Sequence, residues 1–166
     1  RAPSNLVFLV DISGSMRSKD KLPLVKSSLL GFLKQLSQRD QVSLVTYSGS
    51  VKTLLKPTRA DKKGLRRMRR AIKRLSAAGS TAGGAGLARA YELAQEGWLE
   101  GGNNRVIVAT DGDFNVGISS VHEIKRFISE RRESGVYLSM FGFGHKNYSD
   151  DNMGALARSG NGNYAF

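Results

Sequence analysis

Cysteine, long apolar runs and acidic residues are absent or scarce in this sequence. None of the 166 residues is cysteine, which excludes disulfide bonds, thiolate zinc sites, iron–sulfur clusters and a cysteine nucleophile. No apolar run approaches the roughly 18 residues of a membrane-spanning helix, so we expect none. The 14 acidic residues face 26 lysines and arginines, and this excess raises the question of an anionic partner.

The composition is that of one globular domain. Hydrophobic residues make up 40% and charged residues 24% of the chain, which is ordinary for a folded protein and unlike a disordered one. A chain of this length can bury about 68–70% of the surface that its unfolded form exposes. The sequence opens at Arg1 without an initiator Met or a signal peptide. We therefore interpret it as a processed form or a piece of a longer protein.

Most of the positive charge is concentrated in one segment. Residues 59–74 carry nine cationic side chains and one carboxylate, Asp61, so they hold +8 of the total net charge of +12. Apolar residues at helical spacing predict a helix over residues 62–75, with the cations on its other face. The cationic residues are Arg59, Lys62, Lys63, Arg66, Arg67, Arg69, Arg70, Lys73 and Arg74.

Strand and helix patterns alternate along the chain. A short turn at residues 48–50 predicts a hairpin, and hence one antiparallel strand at the edge of a sheet. The pattern as a whole predicts an α/β fold with a doubly wound, mainly parallel sheet and helices on both faces. The predicted strands are residues 5–10, 41–47, 51–55, 105–110, 136–143 and 163–166, and the predicted helices begin at Pro23 or span residues 62–75, 85–99, 119–132 and 150–159.

Polar residues follow two of the predicted strands, where ligands bind in folds of this class. Asp11 and Ser13 share one side of the extended chain after the first strand, and a turn at Gly14 brings Ser15 towards them. Asp111 follows the 105–110 strand. A glycine-rich loop at residues 79–86 offers further hydroxyls. Each motif alone is typical of helix caps and turns, but such oxygen donors together suit a hard cation such as Mg²⁺ or Mn²⁺.

These motifs, in this order, resemble the von Willebrand factor type A domain. The matching elements are Asp-x-Ser-x-Ser after the first strand, a Gly-Ser-Thr loop and Thr-Asp-Gly after a later strand; residues 79–86 and 109–117 resemble a bacterial branch. The resemblance spans the chain and implies a Rossmann-like fold with a metal-ion-dependent adhesion site. It implies that Ser13, Ser15 and Thr81 ligate the metal through hydroxyl oxygens. Asp11 and Asp111 would bind it directly or through ordered water.

The site implied by this resemblance favours binding over catalysis. Neutral hydroxyl ligands leave the cation much of its charge and one exchangeable position, which an Asp or Glu carboxylate of a partner can take. We expect a cation-dependent protein-binding or adhesion module that uses Mg²⁺ or Mn²⁺ in preference to Ca²⁺. The sequence has no P-loop ending, no Gly-x-Ser-x-Gly elbow and no second Asp two residues after Asp11, and we expect no enzymatic activity.

The cationic helix leaves a second interpretation open. Clustered cations alone can attract an anionic polymer or a nucleic acid, and an acidic protein or an anionic surface is a further alternative to a merely solvated face. Residues 59–74 contain no aromatic side chain to stack on bases. EDTA should abolish metal-bridged binding, whereas salt should weaken polyanion binding.

The family pattern also bears on the domain's extent. The chain stops at Phe166, where the family pattern continues through a final helix. We therefore expect a single domain over residues 1–166 that lacks this helix, with an apolar patch left uncovered. Family members include surface adhesion modules and intracellular assembly factors, and we expect a cell-surface or periplasmic location within a larger protein.

Overall fold

The chain folds as strands and helices in alternation. The computed structural model describes residues 1–79, 83–111, 121–144, 157–160, 162 and 164–165. A short 3-10 helix spans Gly14–Arg17, and residues 157–159 form a further helical turn. The strands are β1 (Ser4–Asp11), β2 (Gln41–Tyr47), β3 (Val51–Arg59), β4 (Asn103–Thr110), β5 (Tyr137–Gly142) and β6 (Tyr164–Ala165), and the helices are α1 (Leu22–Leu33), α2 (Lys62–Lys73), α3 (Gly83–Glu96) and α4 (Val121–Arg132).

The strands form one sheet in the order β3-β2-β1-β4-β5-β6. All neighbouring pairs are parallel except β2 and β3, so the antiparallel strand lies at one edge. Strand order reverses between β1 and β4, and ligands of doubly wound folds bind beyond the carboxyl ends at such a point. The predicted fold class is confirmed.

Helices cover both faces of the sheet and create two cores. Alternate residues of β1 serve opposite faces: Val7 and Leu9 pack with residues of α3 and α4, whereas Leu6 and Phe8 pack with residues of α1 and α2. All eight residues of β1 are buried. This explains its apolar run without alternation, since a strand covered on both faces has no solvent side.

Several element bounds differ from the sequence expectation. Strand β3 continues to Arg59 instead of ending at Leu55, because two register shifts against β2 accommodate Pro57 in an edge strand. Residues 119–120 and 150–156 of the predicted helices lie outside the described residues. Within the described part of the chain, no helix is both long and apolar enough to cross a bilayer.

Candidate metal centre

The carboxyl ends of β1 and β4 bring the first polar residues together. The two strands pair in parallel up to Val10 and Ala109, so Asp11 and Thr110 lie side by side. The Thr110 hydroxyl donates to Oδ2 of Asp11 at 3.2 Å, and Asp111 follows directly. Sequence reasoning did not single out Thr110, although its position before Asp111 in the Thr-Asp-Gly motif was a usable signal.

The turn after β1 places three side-chain oxygens in a row. Oδ1 of Asp11 accepts hydrogen bonds from the backbone N–H of Ser13 at 2.8 Å and from its hydroxyl at 2.6 Å. The Ser13 and Ser15 hydroxyl oxygens lie 3.1 Å apart. Asp11 and Ser13 are buried, whereas Ser15 is exposed. The row therefore leads from the end of the buried strand to the solvent-exposed Ser15.

The glycine-rich loop is attached to this turn by its first residue. The N–H of Gly14 donates to the carbonyl of Gly79 at 3.0 Å, and the N–H of Ala78 donates to the carbonyl of Ile12 at 2.7 Å. Gly79 has a φ of +86°, which favours glycine. Gly14 needs no such freedom, because a Cβ there would meet only the Gly79 oxygen at 3.8 Å. The turn expected at Gly14 is present, since the 3-10 helix begins there and the Ser15 hydroxyl comes to 3.1 Å from that of Ser13, but this turn does not require glycine. Thr81, two residues beyond Gly79, lies outside the described residues.

A lysine that sequence reasoning missed lies at the second carboxylate. Nζ of Lys21 is 3.2 Å from Oδ2 of Asp111, and the carboxylate is buried. Gly144, at a φ of +94°, leaves room for the lysine, since a Cβ there would lie 2.6 Å from its Cε. No sequence pattern signals this pair, because the two residues are 90 positions apart.

The two carboxylates give the site negative charge, and the Lys21 ammonium pairs with one of them. Burial raises the pKa of Asp11 above its usual range, the nearby charge of Asp111 raises it further, and the hydrogen bonds from Ser13 and Thr110 only partly offset the rise. Burial and like charge both disfavour the ionised form of Asp11. A bound cation would therefore stabilise that form, in addition to the favourable charge of Lys21.

The donor set fits a small hard cation. Oxygen ligands at 2.0–2.1 Å and right angles around Mg²⁺ lie about 2.9 Å from one another, close to the 3.1 Å between the hydroxyls of Ser13 and Ser15. Among the described residues, no group of three or more His, Cys, Asp or Glu side chains could hold a metal. A site here therefore depends on hydroxyl oxygens beside the two aspartates.

The sheet, its strand-end aspartates and the Asp-x-Ser-x-Ser turn define a class of Rossmann-like domain. Comparison with protein families identifies that class: the von Willebrand factor type A domain model matches residues 5–166, and the chain belongs to this family. The family membership expected from the motifs is thereby confirmed.

The chain is similar to a bacterial protein in sequence and to bacterial and animal domains in structure. The chain is 47% identical over 163 residues to the uncharacterized protein YfbK of Escherichia coli K12, covering 98% of this chain and 28% of YfbK. It thus spans less than a third of that relative. The von Willebrand factor type A structure from Catenulispora acidiphila has a TM-score of 0.84 at 19% identity, covering 99% of this chain and 39% of that one. Proximal thread matrix protein 1 from the mussel byssus, with a zinc-occupied MIDAS motif, has a TM-score of 0.74 at 20% identity, covering 99% and 41%.

Proposed function

We propose that this chain is a divalent-cation-dependent protein-binding module. Domains of this family are typically protein-interaction modules. The observation that carries the proposal is the contact of three side-chain oxygens, from Asp11, Ser13 and Ser15, at the carboxyl end of β1. When bound there, Mg²⁺ or Mn²⁺ supplies a positive charge and an exchangeable coordination position, which suits an Asp or Glu carboxylate of a partner.

Each residue has a distinct part in this proposal. The Ser13 hydroxyl donates a hydrogen bond to Asp11, so its oxygen can direct a lone pair at a cation. Asp11 is fixed by three hydrogen bonds and orients that hydroxyl. Ser15 supplies the solvent-facing hydroxyl. Asp111 adds the second negative charge, and Thr81 completes the hydroxyl set by family resemblance.

The donor chemistry also guides the choice of ion and the non-enzymatic assignment. Oxygen-only donors favour Mg²⁺ or Mn²⁺, since Zn²⁺ prefers nitrogen and sulfur ligands; the zinc-occupied MIDAS motif of the mussel protein makes Zn²⁺ the competitor to include. Coordination of a partner carboxylate by the cation involves no cleavage of a covalent bond. Binding rather than catalysis is therefore the function that we propose.

Water proton relaxation with Mn²⁺ tests both parts of the proposal. Bound Mn²⁺ should enhance relaxation, and a glutamate-containing peptide should reduce the enhancement by displacing a metal-bound water. Ser13→Ala/Ser15→Ala should weaken Mn²⁺ binding at least about tenfold, whereas Ser18→Ala, at an exposed serine bonded to Asp20, should not. Equal Mn²⁺ binding by the double variant would contradict a metal site at Ser13 and Ser15. If relaxation is not reduced by the peptide in saturating excess, the bound metal does not coordinate a carboxylate of the peptide.

A further inference from the structure

The sheet edge distant from the metal centre carries a cationic groove. It lies between edge strand β3 and helix α2, two strands away from β1. Its volume is about 200 Å³, and it is lined by Leu54, Leu55, Arg67, Arg70, Ala71 and Arg74. We call these six residues the β3–α2 groove. Its floor is apolar, and its cationic wall comes from one face of α2.

The cations of this wall are exposed and regularly spaced. Arg67, Arg70 and Arg74 are three and four residues apart, so they follow one another along a single helix face. None of the ion pairs found among the described residues involves any of the nine cations of the 59–74 segment. Asp61, the segment's carboxylate, accepts from the N–H of Gly64 and caps α2. The arginines are thus available to an external anion.

The apolar floor is exposed because of a register shift. Thr53 faces Val45 and Leu55 faces Leu44, so Leu54 is left without an opposite residue on β2. This bulge leaves Leu54 39% exposed and directs it into the groove beside Ala71. An exposed leucine among three guanidinium groups favours a partner that combines an apolar side chain with carboxylates.

Strand β3 is poorly suited to pair with another strand. Its register shifts twice against β2, Pro57 lacks an N–H donor, and Lys52 and Lys56 are exposed. Bulges, proline and lysine are the features that protect sheet edges from strand addition. Recognition in the groove should therefore proceed through side chains and not through an added strand.

We propose that the β3–α2 groove binds an acidic polypeptide segment whose apolar side chain contacts Leu54 while its carboxylates pair with Arg67, Arg70 and Arg74. Carboxylates match the planar fork of arginine, which donates two parallel hydrogen bonds. A nucleic acid is the less suitable occupant, since the groove offers no aromatic side chain for base stacking. Its binding would also place the charged phosphate backbone against the apolar side chain of Leu54.

Fluorescence anisotropy with two labelled peptides tests this proposal. One peptide carries a leucine flanked on each side by glutamates, and the other has serine in place of that leucine. The 166-residue chain should bind the leucine peptide more tightly, and EDTA should leave this binding unchanged. Persistence in EDTA separates the groove from the proposed metal site.

Matched variants separate a specific groove from a general charge effect. Arg67→Gln/Arg70→Gln/Arg74→Gln should weaken binding of the leucine peptide at least about tenfold. The control Arg66→Gln/Arg69→Gln/Lys73→Gln removes the same charge at the same spacing from exposed positions outside the groove, and should weaken binding no more than about threefold.

Leu54→Ser tests the apolar floor on its own. It should abolish the preference for leucine over serine in the peptide and leave binding of the serine peptide unchanged. Equal losses in the two triple variants, or an unchanged preference in Leu54→Ser, would overturn the proposal. Tighter binding of a labelled DNA duplex than of the leucine peptide would overturn it in favour of a nucleic-acid partner.

Discussion

Lys21 should compete with a metal ion for Asp111. Its ammonium lies 3.2 Å from the Asp111 carboxylate, next to the proposed ligands at the end of β1. A divalent cation that interacts with Asp111 must overcome this ion pair and the repulsion between the two positive charges. Lys21→Met removes the charge and retains most of the apolar stem that packs against Gly144. We expect this variant to bind Mg²⁺ more tightly than the original chain.

The geometry of the pair sets the size of the effect. Two unit charges at this separation interact by about 5 kcal/mol at an effective dielectric constant of about 20, and by about 1.3 kcal/mol in bulk water. The Lys21 side chain is 23% exposed, so screening and desolvation reduce the net contribution to about 1 kcal/mol. Since 1.4 kcal/mol corresponds to a factor of ten, the Mg²⁺ dissociation constant should fall about fivefold.

Electron paramagnetic resonance of free Mn²⁺, displaced by Mg²⁺, measures this change. Lys21→Arg keeps the charge and should remain within about twofold of the original affinity. Lys26→Met is the matched control, because the Lys26 ammonium donates to the carbonyls of Lys73 and Leu75, away from Asp111. Unchanged or weaker Mg²⁺ binding by Lys21→Met, with an unaltered circular dichroism spectrum, would refute the reasoning.

Two further predictions concern stability. Burial tends to raise the pKa of Asp40. Backbone hydrogen bonds from Ser37 and Ser4, together with the charge of the Arg1 guanidinium, outweigh burial and lower this pKa. Stability from Asp40 is therefore present above its unfolded pKa of about 3.9 and is lost as pH falls through the lower folded value. Urea unfolding across that range should show the loss, and Asp40→Asn should flatten it; identical pH profiles would contradict this. Gly64→Ala should lower the melting temperature, because its Cβ would lie 1.7 Å from the Arg59 carbonyl; scanning calorimetry measures this, and an unchanged melting temperature would contradict the backbone clash.

Much of the fold could be predicted because its elements follow strong local patterns. The predicted strand 41–47 coincides with β2, and the apolar stripe of the 62–75 helix is buried in α2 at Met68 and Ile72. The length of β3 could not be predicted. The alternation of apolar and polar side chains is interrupted at the two register shifts, and a proline such as Pro57 usually indicates the end of a strand. Only pairing with β2 reveals that the strand continues to Arg59.

The candidate site was predictable where its residues are neighbours in sequence. Asp11, Ser13 and Ser15 could be grouped because extended chain and a turn fix their relations. The register of β1 and β4 adds Thr110. The position of Lys21 depends on the close approach of its side chain to Gly144, and no periodicity in the sequence encodes that contact. The cationic helix could also be predicted from the sequence. The groove beside it could not, because it depends on the bulge that exposes Leu54.

Calorimetric titration with Mg²⁺ tests the central claim most directly. The original chain should bind one Mg²⁺, whereas Asp11→Ala and the nearly isosteric Asp11→Asn should bind none while keeping their circular dichroism spectra. Asp20→Ala is the matched control, since Asp20 accepts a hydrogen bond from the exposed Ser18, and it should retain full affinity. Equal Mg²⁺ affinity in the Asp11 variants, or no Mg²⁺ binding by the original chain, would contradict a cation site at the carboxyl end of β1.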